Sequence, residues 1–289
     1  MSQFAKQRTK HRIGRLRIGA VNYLNTKPLV YGLSARLPAA DIVFDLPSRL
    51  ADHLAASKLD IALVPSIELA EHPDWTIVSD ACIGCRGPVL SVKVLFRVPP
   101  AEVCSVALDE GSRTSAVLAQ ILLRQLYGVR PKLTRLPIGS SPKDTDADAV
   151  LVIGDRAIRN DVYYSDNDDD RRFVEVWDLG DRWCRWSELP FVFAMWVARA
   201  GIDTAEVAEA LSAARDDGCR QLSAITREQS IAMRLPEKLI HEYLHRNLYF
   251  RLDTKQREGL DLFYHQAAAF GLIPAAPRVI FDDCPTESR

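Results

Sequence analysis

Short apolar runs alternate with amphipathic segments along most of the chain before residue 200, and turn residues separate them. Such apolar runs between Gly, Pro and hydroxyl residues indicate buried strands, and the amphipathic segments indicate helices. The predicted strands comprise residues 16–20, 40–46, 60–65, 75–83, 89–98, 102–109, 147–155, 173–180 and 189–199. Ser48 is a suitable N-cap for the helix after the second strand, and Gly128 is a suitable end for the helix of residues 115–127. From Thr204 to Gly271 the pattern is helical.

The order of these elements predicts an α/β protein with parallel sheets. The apolar strands near residues 89–97 and 189–198 each follow a strand–helix series, and the chain becomes helical after the second one. This order favours two lobes joined by two crossing strands, with residues 15–97 plus 197–289 in lobe 1 and residues 98–196 in lobe 2. We expect a ligand cleft between the lobes, outside the carboxyl ends of the strands.

Composition and charge narrow the class of protein. The chain has 289 residues, 47% of them hydrophobic, and a net charge of -1, so it can form a sizeable core and has no charge-based affinity for nucleic acid. Residues 1–14 are expected to form a disordered basic tail, since they lack the apolar stretch of an export signal. No apolar run approaches the ~20 residues of a membrane span. The scattered cysteines fit reduced thiols, so we expect a cytoplasmic protein without membrane or nucleic-acid partners and leave its oligomeric state open.

Polar side chains follow two of the strands that are predicted in the first lobe. The stretch "AVNYLNTKPLVYGL" places Asn22 and Asn25 directly after the first strand, and Ser66 and Glu68 follow the third. Strand ends are the usual ligand position in an α/β fold, although asparagine also forms turns and caps. We therefore treat all four residues as candidates for ligand binding.

A second candidate lies in "ALDEGSRTSAVL", which joins a strand, a glycine turn and a helix. Ser112, Thr114 and Ser115 stand at the start of this helix, where unpaired N–H groups and the helix dipole favour an anion. Arg113 can add a bidentate contact to a carboxylate. The same residues also suit an ordinary N-cap, so both interpretations stay open at this point.

Three short patterns suggest metal chemistry, but their surroundings argue against it. The sequence "HEYLH" at 241–245 matches the zinc-hydrolase pattern H-E-x-x-H, yet the characteristic continuation is missing and the apolar neighbours indicate a packing helix. The C-x-x-C at 82–85 has no second pair, and the acidic run at 165–172 has Arg171 where a calcium loop needs glycine. We therefore expect no metal site.

Several motifs, read together and in order, resemble the chorismate dehydratase family of the futalosine route to menaquinone. The resemblance extends from about Leu16 to Ile273, and the motifs are "GAVNYLNTKPLVYGL", "VPSIELAEH", "GPVLSVKVLF", "LDEGSRTSAVL", "IGDRAIR" and "LPFVFAMWVAR". Each motif is weak alone, whereas the ordered set is specific. The resemblance implies a two-lobed fold like the type II periplasmic binding proteins, located in the cytoplasm. It also implies a lyase that dehydrates chorismate to 3-[(1-carboxyvinyl)oxy]benzoate without a cofactor.

The resemblance also suggests roles for the polar residues. Losing water makes the ring of chorismate aromatic, so the protein has to hold the carboxylates, orient the leaving hydroxyl and exclude water. Asn25 and Ser91 are the catalytic candidates, because an amide and a hydroxyl can contact the departing oxygen without adding a net charge. The base is either a protein carboxylate such as Glu68 or one of the substrate's own carboxylates. The expected substrate-binding residues are Asn22, Ser66, Glu68, Gly87, Ser112, Arg113, Thr114, Ser115, Gly154 and Asp155.

Two other functions remain compatible with the sequence. The same fold serves non-catalytic proteins that bind small carboxylates, and fold alone does not determine function. A sister enzyme of the same pathway, which acts on a cyclised futalosine product, shares the fold. For that enzyme we would expect a histidine base in the cleft, and the strand-end motifs contain none.

Overall fold

The computed structural model describes residues 15–158 and 173–279. The predicted basic tail of residues 1–14 and the acidic run of residues 165–172 lie outside the described residues. Strands and helices alternate through most of the chain before residue 200, and helices predominate after it, as the hydrophobic pattern predicted. The strands form two sheets, and helices pack against both of them.

The first sheet has the strand order β11-β4-β10-β3-β1-β2. Its strands are β1 (Arg17–Val21), β2 (Asp41–Asp45), β3 (Ile61–Pro65), β4 (Thr76–Cys85), β10 (Phe191–Ala198) and β11 (Tyr249–Arg251). Strand β1 pairs in parallel with β2 and β3, whereas β10 runs antiparallel between β3 and β4. Every residue of β3 and β10 is buried, which explains their continuous apolar sequences.

The second sheet has the strand order β7-β6-β8-β5-β9. Its strands are β5 (Val92–Phe96), β6 (Ser105–Asp109), β7 (Lys132–Leu136), β8 (Ala149–Ile153) and β9 (Glu175–Asp178). Strand β6 pairs in parallel with β7 and β8, and β5 is antiparallel to β8 and β9. Parallel pairing is therefore confirmed within each sheet. Strands β4, β5, β9 and β10, which flank the two changes of sheet, have antiparallel partners, and so does the short strand β11.

Helices pack against the sheets and connect many of the strands along the chain. The α-helices are α1 (Leu33–Arg36), α2 (Pro47–Ala55), α3 (Thr114–Tyr127), α4 (Asp155–Ile158), α5 (Leu179–Ser187), α6 (Ala205–Arg220), α7 (Leu222–Met233), α8 (Glu237–Glu242) and α9 (Thr254–Ala269). The 3-10 helices are Leu24–Val30, Ser66–Ala70, Pro100–Glu102 and Pro142–Asp144, and a π-helical turn spans Tyr243–Asn247.

The chain changes sheet twice, through residues 86–91 and through residues 179–190. Strand β5 lies wholly in the second sheet and β10 wholly in the first. Both changes of sheet therefore come earlier in the chain than the expected boundaries at 97 and 196. Whether the two halves are separate folding units stays a prediction.

Some local predictions differ from the structure. Ser48 does not cap α2, because the helix begins at Pro47 and Ser48 is buried inside its first turn. The short strands β7 and β11 were not predicted, and β11 interrupts the segment that we expected to be helical throughout. Gly128 does end α3 in the left-handed conformation, with a φ of 70°, as predicted.

Candidate active site

A cleft opens between the two sheets, where several strands of both end. It encloses about 510 Å³ of space, open solvent included. Its walls are formed by Val21, Tyr23, Asn25, Pro47, Pro65, Ile83, Val89, Ser91, Val92, Gly111, Ser112, Arg113, Thr114, Ser115, Ile153, Gly154, Phe193 and Ala194. The polar groups among them are a few hydroxyls, one amide and one guanidinium, set in an apolar surface. This lining contains no carboxylate, imidazole or amine.

Asn25 lies in the 3-10 helix that follows β1, and it is only 8% exposed. The Thr26 hydroxyl donates to Asn25 Oδ1 at 3.3 Å, which leaves the Nδ2 amide hydrogens free to donate elsewhere. The 3-10 helix packs against α6 at Gly218, where an added Cβ would come within 2.0 Å of the Pro28 carbonyl oxygen. This close approach fixes the segment that carries Asn25.

Ser91 stands at the end of the first crossing segment, just before β5, and is 2% exposed. Leu90 before it adopts a φ of 64°, a strained conformation for a residue with a side chain. Asp178 holds this turn, because its carboxylate accepts from the N–H groups of Val89 at 2.9 Å and Leu90 at 2.6 Å. The Ser91 carbonyl in turn accepts from Gly154 N–H at 2.9 Å. The backbone around Ser91 is thus fixed from both sides.

Tyr23 also lines the cleft, although the sequence analysis did not name it as a site residue. Its ring packs on Gly154, which has a φ of 71° and where an added Cβ would lie 2.7 Å from the ring. Burial raises the pKa of the Tyr23 hydroxyl well above its usual range, and the nearby carboxylates of Asp109 and Asp155 raise it further. The phenol is therefore a neutral hydrogen-bonding group at neutral pH.

The "EGSRTS" turn leads into α3 at the cleft wall. No side chain caps the N-terminus of α3, and the Ser112 hydroxyl is buried without a hydrogen-bond partner in the described structure. Asp109 orders the turn, since its carboxylate accepts from Gly111 N–H at 3.0 Å and Ile153 N–H at 3.2 Å. The missing side-chain cap is what an anion-binding helix terminus requires, and it argues against the ordinary N-cap interpretation.

Three expected binding residues form hydrogen bonds within the protein: Thr114, which also lines the cleft, and Ser66 and Asp155, which are outside the lining. The Thr114 hydroxyl accepts from Ile67 N–H at 3.2 Å and lies 3.3 Å from Ser66 Oγ. The Ser66 hydroxyl donates to the carbonyl of Val192 at 2.8 Å. Asp155 accepts from the N–H of Leu24 at 2.9 Å. The contacts of Thr114 with Ser66 and Ile67, and that of Asp155 with Leu24, join the two lobes, so the structure is a closed one.

Arg113 also connects the lobes, through two ion pairs. Its guanidinium lies 3.0 Å from Glu68 Oε1 and 2.6 Å from Asp52 Oδ1, and both carboxylates belong to the first lobe. Burial raises the pKa of Glu68, and the charge of Arg113 opposes that rise. Glu68 is 3% exposed and is not part of the cleft lining.

The structure therefore brings most of the expected site residues together at one place. Asn25, Ser91, Ser112, Arg113, Thr114, Ser115 and Gly154 line the cleft. Ser66, Glu68 and Asp155 lie at the contacts between lobes, and Gly87 lies on the crossing segment outside the lining. Asn22 is exposed and also outside the lining, with its N–H donating to the Asp45 carbonyl.

Two of the motifs that suggested metal binding, H-E-x-x-H and C-x-x-C, lie within the described residues. His241 and His245 are exposed and stack at 4.0 Å between ring centroids, while Tyr243 and Leu244 between them are buried. Cys82 and Cys85 are buried free thiols in β4. Over residues 15–158 and 173–279 no group of His, Cys, Asp and Glu is arranged to hold a metal ion. In the same ranges, none of the helices has the length and apolar character of a membrane span.

Sequence reasoning also missed apolar residues of the wall, among them Ile83, Val89 and Phe193. Phe193 lies in "LPFVFAMWVAR", where a fully buried strand gives no alternation to show which side chains face a cavity. Tyr23 lies between Asn22 and Asn25 in the motif after the first strand, and this position could have identified it as a residue of the cleft wall.

Comparisons with known proteins found similarity along most of the chain. The model of a family described as menaquinone biosynthesis matches residues 16–269. A chorismate dehydratase of Thermus thermophilus is 30% identical over 270 residues, which cover 90% of this chain and 96% of that protein.

Solved structures share the fold at lower identity. Protein AF1704 of Archaeoglobus fulgidus superposes with a TM-score of 0.71 at 15% identity, covering 91% of this chain and 100% of that one. The periplasmic aliphatic sulphonate binding protein SsuA of Escherichia coli gives a TM-score of 0.57 at 18% identity, covering 96% of this chain and 95% of that one. The fold is thus the two-lobed, periplasmic-binding-protein-like α/β fold that the motif order predicted.

Proposed function

This chain belongs to the menaquinone biosynthesis family, and from that premise we propose that it dehydrates chorismate to 3-[(1-carboxyvinyl)oxy]benzoate in the futalosine pathway. The observation that carries the proposal is a closed cleft lined by hydroxyl and amide groups, one guanidinium and the uncapped start of α3. The similarity to a chorismate dehydratase over most of the chain supports the same substrate. The proposal includes a cytoplasmic location for the protein.

The proposed reaction removes a ring proton and the hydroxyl on the adjacent ring carbon as one molecule of water. The electron pair of the C–H bond enters the ring, the C–O bond breaks, and the ring becomes aromatic. No electron is gained or lost overall, so the stoichiometry requires no redox cofactor. The protein's task is to hold the dianion, stabilise the departing oxygen and exclude water.

One carboxylate of the substrate docks at the start of α3. The first N–H groups of this helix have no side-chain cap, and the positive end of the dipole points at the cleft. The Ser112 hydroxyl is buried at the same place without a partner. A carboxylate there would satisfy both kinds of donor.

The departing hydroxyl is placed against Asn25 and Ser91, which line the same cleft on other elements. Both side chains are nearly fully buried, so a hydrogen bond to a developing negative oxygen is stronger there than in water. Neither side chain carries a charge that would compete for the substrate's carboxylates.

The base is one of the substrate's own carboxylates. The cleft lining offers no protein carboxylate, imidazole or amine, and Glu68 is engaged by Arg113 outside that lining. The enol-ether group is bonded to the ring carbon that loses its proton, so its carboxylate is close by construction. The same reasoning disfavours the sister enzyme, for which we expected a histidine in the cleft.

A second candidate function is non-catalytic binding of a small carboxylate, since the fold is shared with a periplasmic binding protein. Incubation of the purified protein with chorismate, followed by mass spectrometry and NMR, separates the two. The proposal expects a product lighter by one water with the enolpyruvyl group retained. Chorismate that is bound tightly but recovered unchanged would favour the binding protein.

A further inference from the structure

Tyr243 places a buried phenol beside the cleft that the reaction described above does not use. The residue is fully buried, and its hydroxyl has no hydrogen-bond partner of normal geometry in the described structure. An unpaired buried hydroxyl is costly, and phenylalanine would fill the same space without that cost. A tyrosine at this position therefore suggests a partner that the hydroxyl meets in another state of the protein.

The backbone around Tyr243 is also unusual. Tyr243 begins the π-helical turn Tyr243–Asn247, which follows α8. At the other end of the turn, Asn247 Nδ2 donates to the Pro88 carbonyl at 2.9 Å, and Pro88 belongs to the crossing segment that leads to Ser91. Single π-helical turns inside helices occur frequently at functional sites. The turn thus fixes Tyr243 relative to the segment that carries Ser91.

The phenol faces the two residues that we place at the departing hydroxyl. Burial raises the pKa of Tyr243 far above its usual range, the side chains of Ser91 and Asn25 are near enough to oppose that rise, and the charge of Asp155 adds to it. Both side chains therefore lie next to the hydroxyl, although no bond of normal geometry is formed in this state. The phenol remains protonated at neutral pH, so it can both donate and accept a hydrogen bond.

The side chains of Asn25, Tyr243 and Ser91 can form one chain of hydrogen bonds in which every donor has an acceptor. Thr26 already donates to Asn25 Oδ1, so the Asn25 amide group has two hydrogens to donate. With substrate bound, one of them would reach the Tyr243 oxygen and the other the substrate. The Tyr243 hydroxyl would then donate to Ser91 Oγ, which leaves the Ser91 hydrogen to donate to the departing oxygen.

We propose that Tyr243 is a positioning residue that links Asn25 to Ser91 and directs both hydrogen-bond donors at the leaving hydroxyl. This inference rests on the proposed dehydration, because it assigns Tyr243 to the same reaction. Tyr243 does not itself touch the substrate: its hydroxyl is fully enclosed and the residue is outside the cleft lining. It acts only through the two side chains in front of it.

The variant Tyr243→Phe tests the proposal against a purely structural role. We expect kcat to fall by about 10- to 100-fold, as for a weakened preorganised donor, with KM within about threefold of the wild type. The matched control is Tyr249→Phe on β11, whose hydroxyl donates to Asp253 at 2.9 Å and lies outside the cleft lining. The control should keep the wild-type kcat. A Tyr243→Phe variant with wild-type kcat would overturn the proposal, as would an equal fall in the control.

A double-mutant cycle with Ser91→Ala tests the link itself. If Tyr243 acts by orienting Ser91 and Asn25, the change Tyr243→Phe should reduce kcat much less in the Ser91→Ala background than in the wild type. Losses that multiply independently would contradict the link. Thermal unfolding of each variant identifies any that fail to fold.

A crystal structure with a 3-substituted benzoate in the cleft provides a test that does not depend on turnover. We expect the Tyr243 oxygen within about 3 Å of both Ser91 Oγ and the Asn25 amide. A phenol that remains unpaired in that complex would refute the inference even if chorismate is dehydrated. If the wild-type protein does not convert chorismate, the proposed function fails, and this structure still decides whether Tyr243 links the two residues.

Discussion

Ser112 carries a buried hydroxyl that has no partner within the described structure, and it stands at the uncapped start of a fourteen-residue helix. Neighbouring Thr114 is different, because its hydroxyl already accepts from Ile67 N–H across the cleft. Of the two side chains, Ser112 is therefore the one with a free hydrogen bond for a substrate carboxylate. Thr114 serves the closed arrangement of the lobes.

The variant Ser112→Ala should raise KM for chorismate by about 10- to 100-fold, which corresponds to the ~1.5–3 kcal/mol of a hydrogen bond to a charged group. Steady-state kinetics measures the change, and Ser34→Ala on the exposed face of α1 is the matched control. An unchanged KM in the Ser112 variant would place the carboxylate elsewhere.

Residues that follow strands were the ones that sequence reasoning could select. Asn25, Ser112 and Gly154 could be selected because carboxyl ends of strands and helix starts are recognisable from local patterns. Tyr243 could not be selected, because its relation to the cleft depends on contacts between distant parts of the chain. The catalytic and binding roles of all these residues stay predictions.

At the scale of elements, Asp60 ties one end of the first sheet together. It precedes β3, accepts from the Arg17 N–H of β1 at 3.0 Å and from the side chain of Arg199, just after β10, at 2.7 Å. Burial alone would raise the pKa of Asp60, but the hydrogen bonds from Arg17 and Arg199 hold it at about 2. A carboxyl group whose pKa is lower in the folded chain than in the unfolded chain stabilises the fold when it is ionised.

The variant Asp60→Asn should lower the free energy of unfolding by about 2 kcal/mol at neutral pH, since charged hydrogen bonds to two arginines are lost. The contribution of Asp60 is fully present above the unfolded pKa near 3.9 and is lost as the pH falls toward 2. Urea unfolding at pH 7 and near pH 3 should therefore show a smaller difference between variant and wild type at the lower pH. Asp41→Asn, at an exposed site in β2, is the control. A difference that grows on acidification would contradict the account.

The elements themselves were predictable where the hydrophobic pattern was strong. Buried strands such as β3 and β10 and the long helix α3 have continuous or periodic apolar sequences. Strand β7 was missed because it is an edge strand with mostly exposed residues, and β11 because it has only three residues. Ser48 was predicted as the N-cap of α2 because serine is a common N-cap. The helix instead begins at Pro47, and proline is a favoured first helical residue.

At the scale of the whole molecule, Arg113 holds the lobes closed through Glu68 and Asp52. In the proposed function, the substrate enters when this closed arrangement opens and favours closure by contacting both lobes. A molecule that opens more readily should bind the substrate more weakly.

The variant Arg113→Ala should increase the radius of gyration of the ligand-free protein in X-ray solution scattering. It should also raise KM by about tenfold, since part of the binding free energy then closes the lobes. The matched control is Arg135→Ala, which removes an exposed arginine paired with Glu110 on the second lobe. Unchanged scattering in the Arg113 variant would mean that other contacts hold the closed state.

The order of strands and helices predicted two α/β lobes, and the resemblance to a known family implied the periplasmic-binding-protein-like fold. The closed arrangement did not follow, since it depends on side chains such as Arg113 and Glu68 that are 45 residues apart. The positions of the two changes of sheet also required the strand pairing.

The most direct test of the central claim is the fate of chorismate with the wild-type protein and with Asn25→Ala, purified in the same way and assayed with a metal chelator. The account predicts that the wild type forms the enolpyruvyl ether of 3-hydroxybenzoate, identified by NMR and by the loss of one water in mass spectrometry. It predicts a rate lower by about 100-fold or more for Asn25→Ala, as for removal of one preorganised donor. Chorismate left intact by the wild type, or converted equally fast by the variant, would contradict the claim that this cleft dehydrates it.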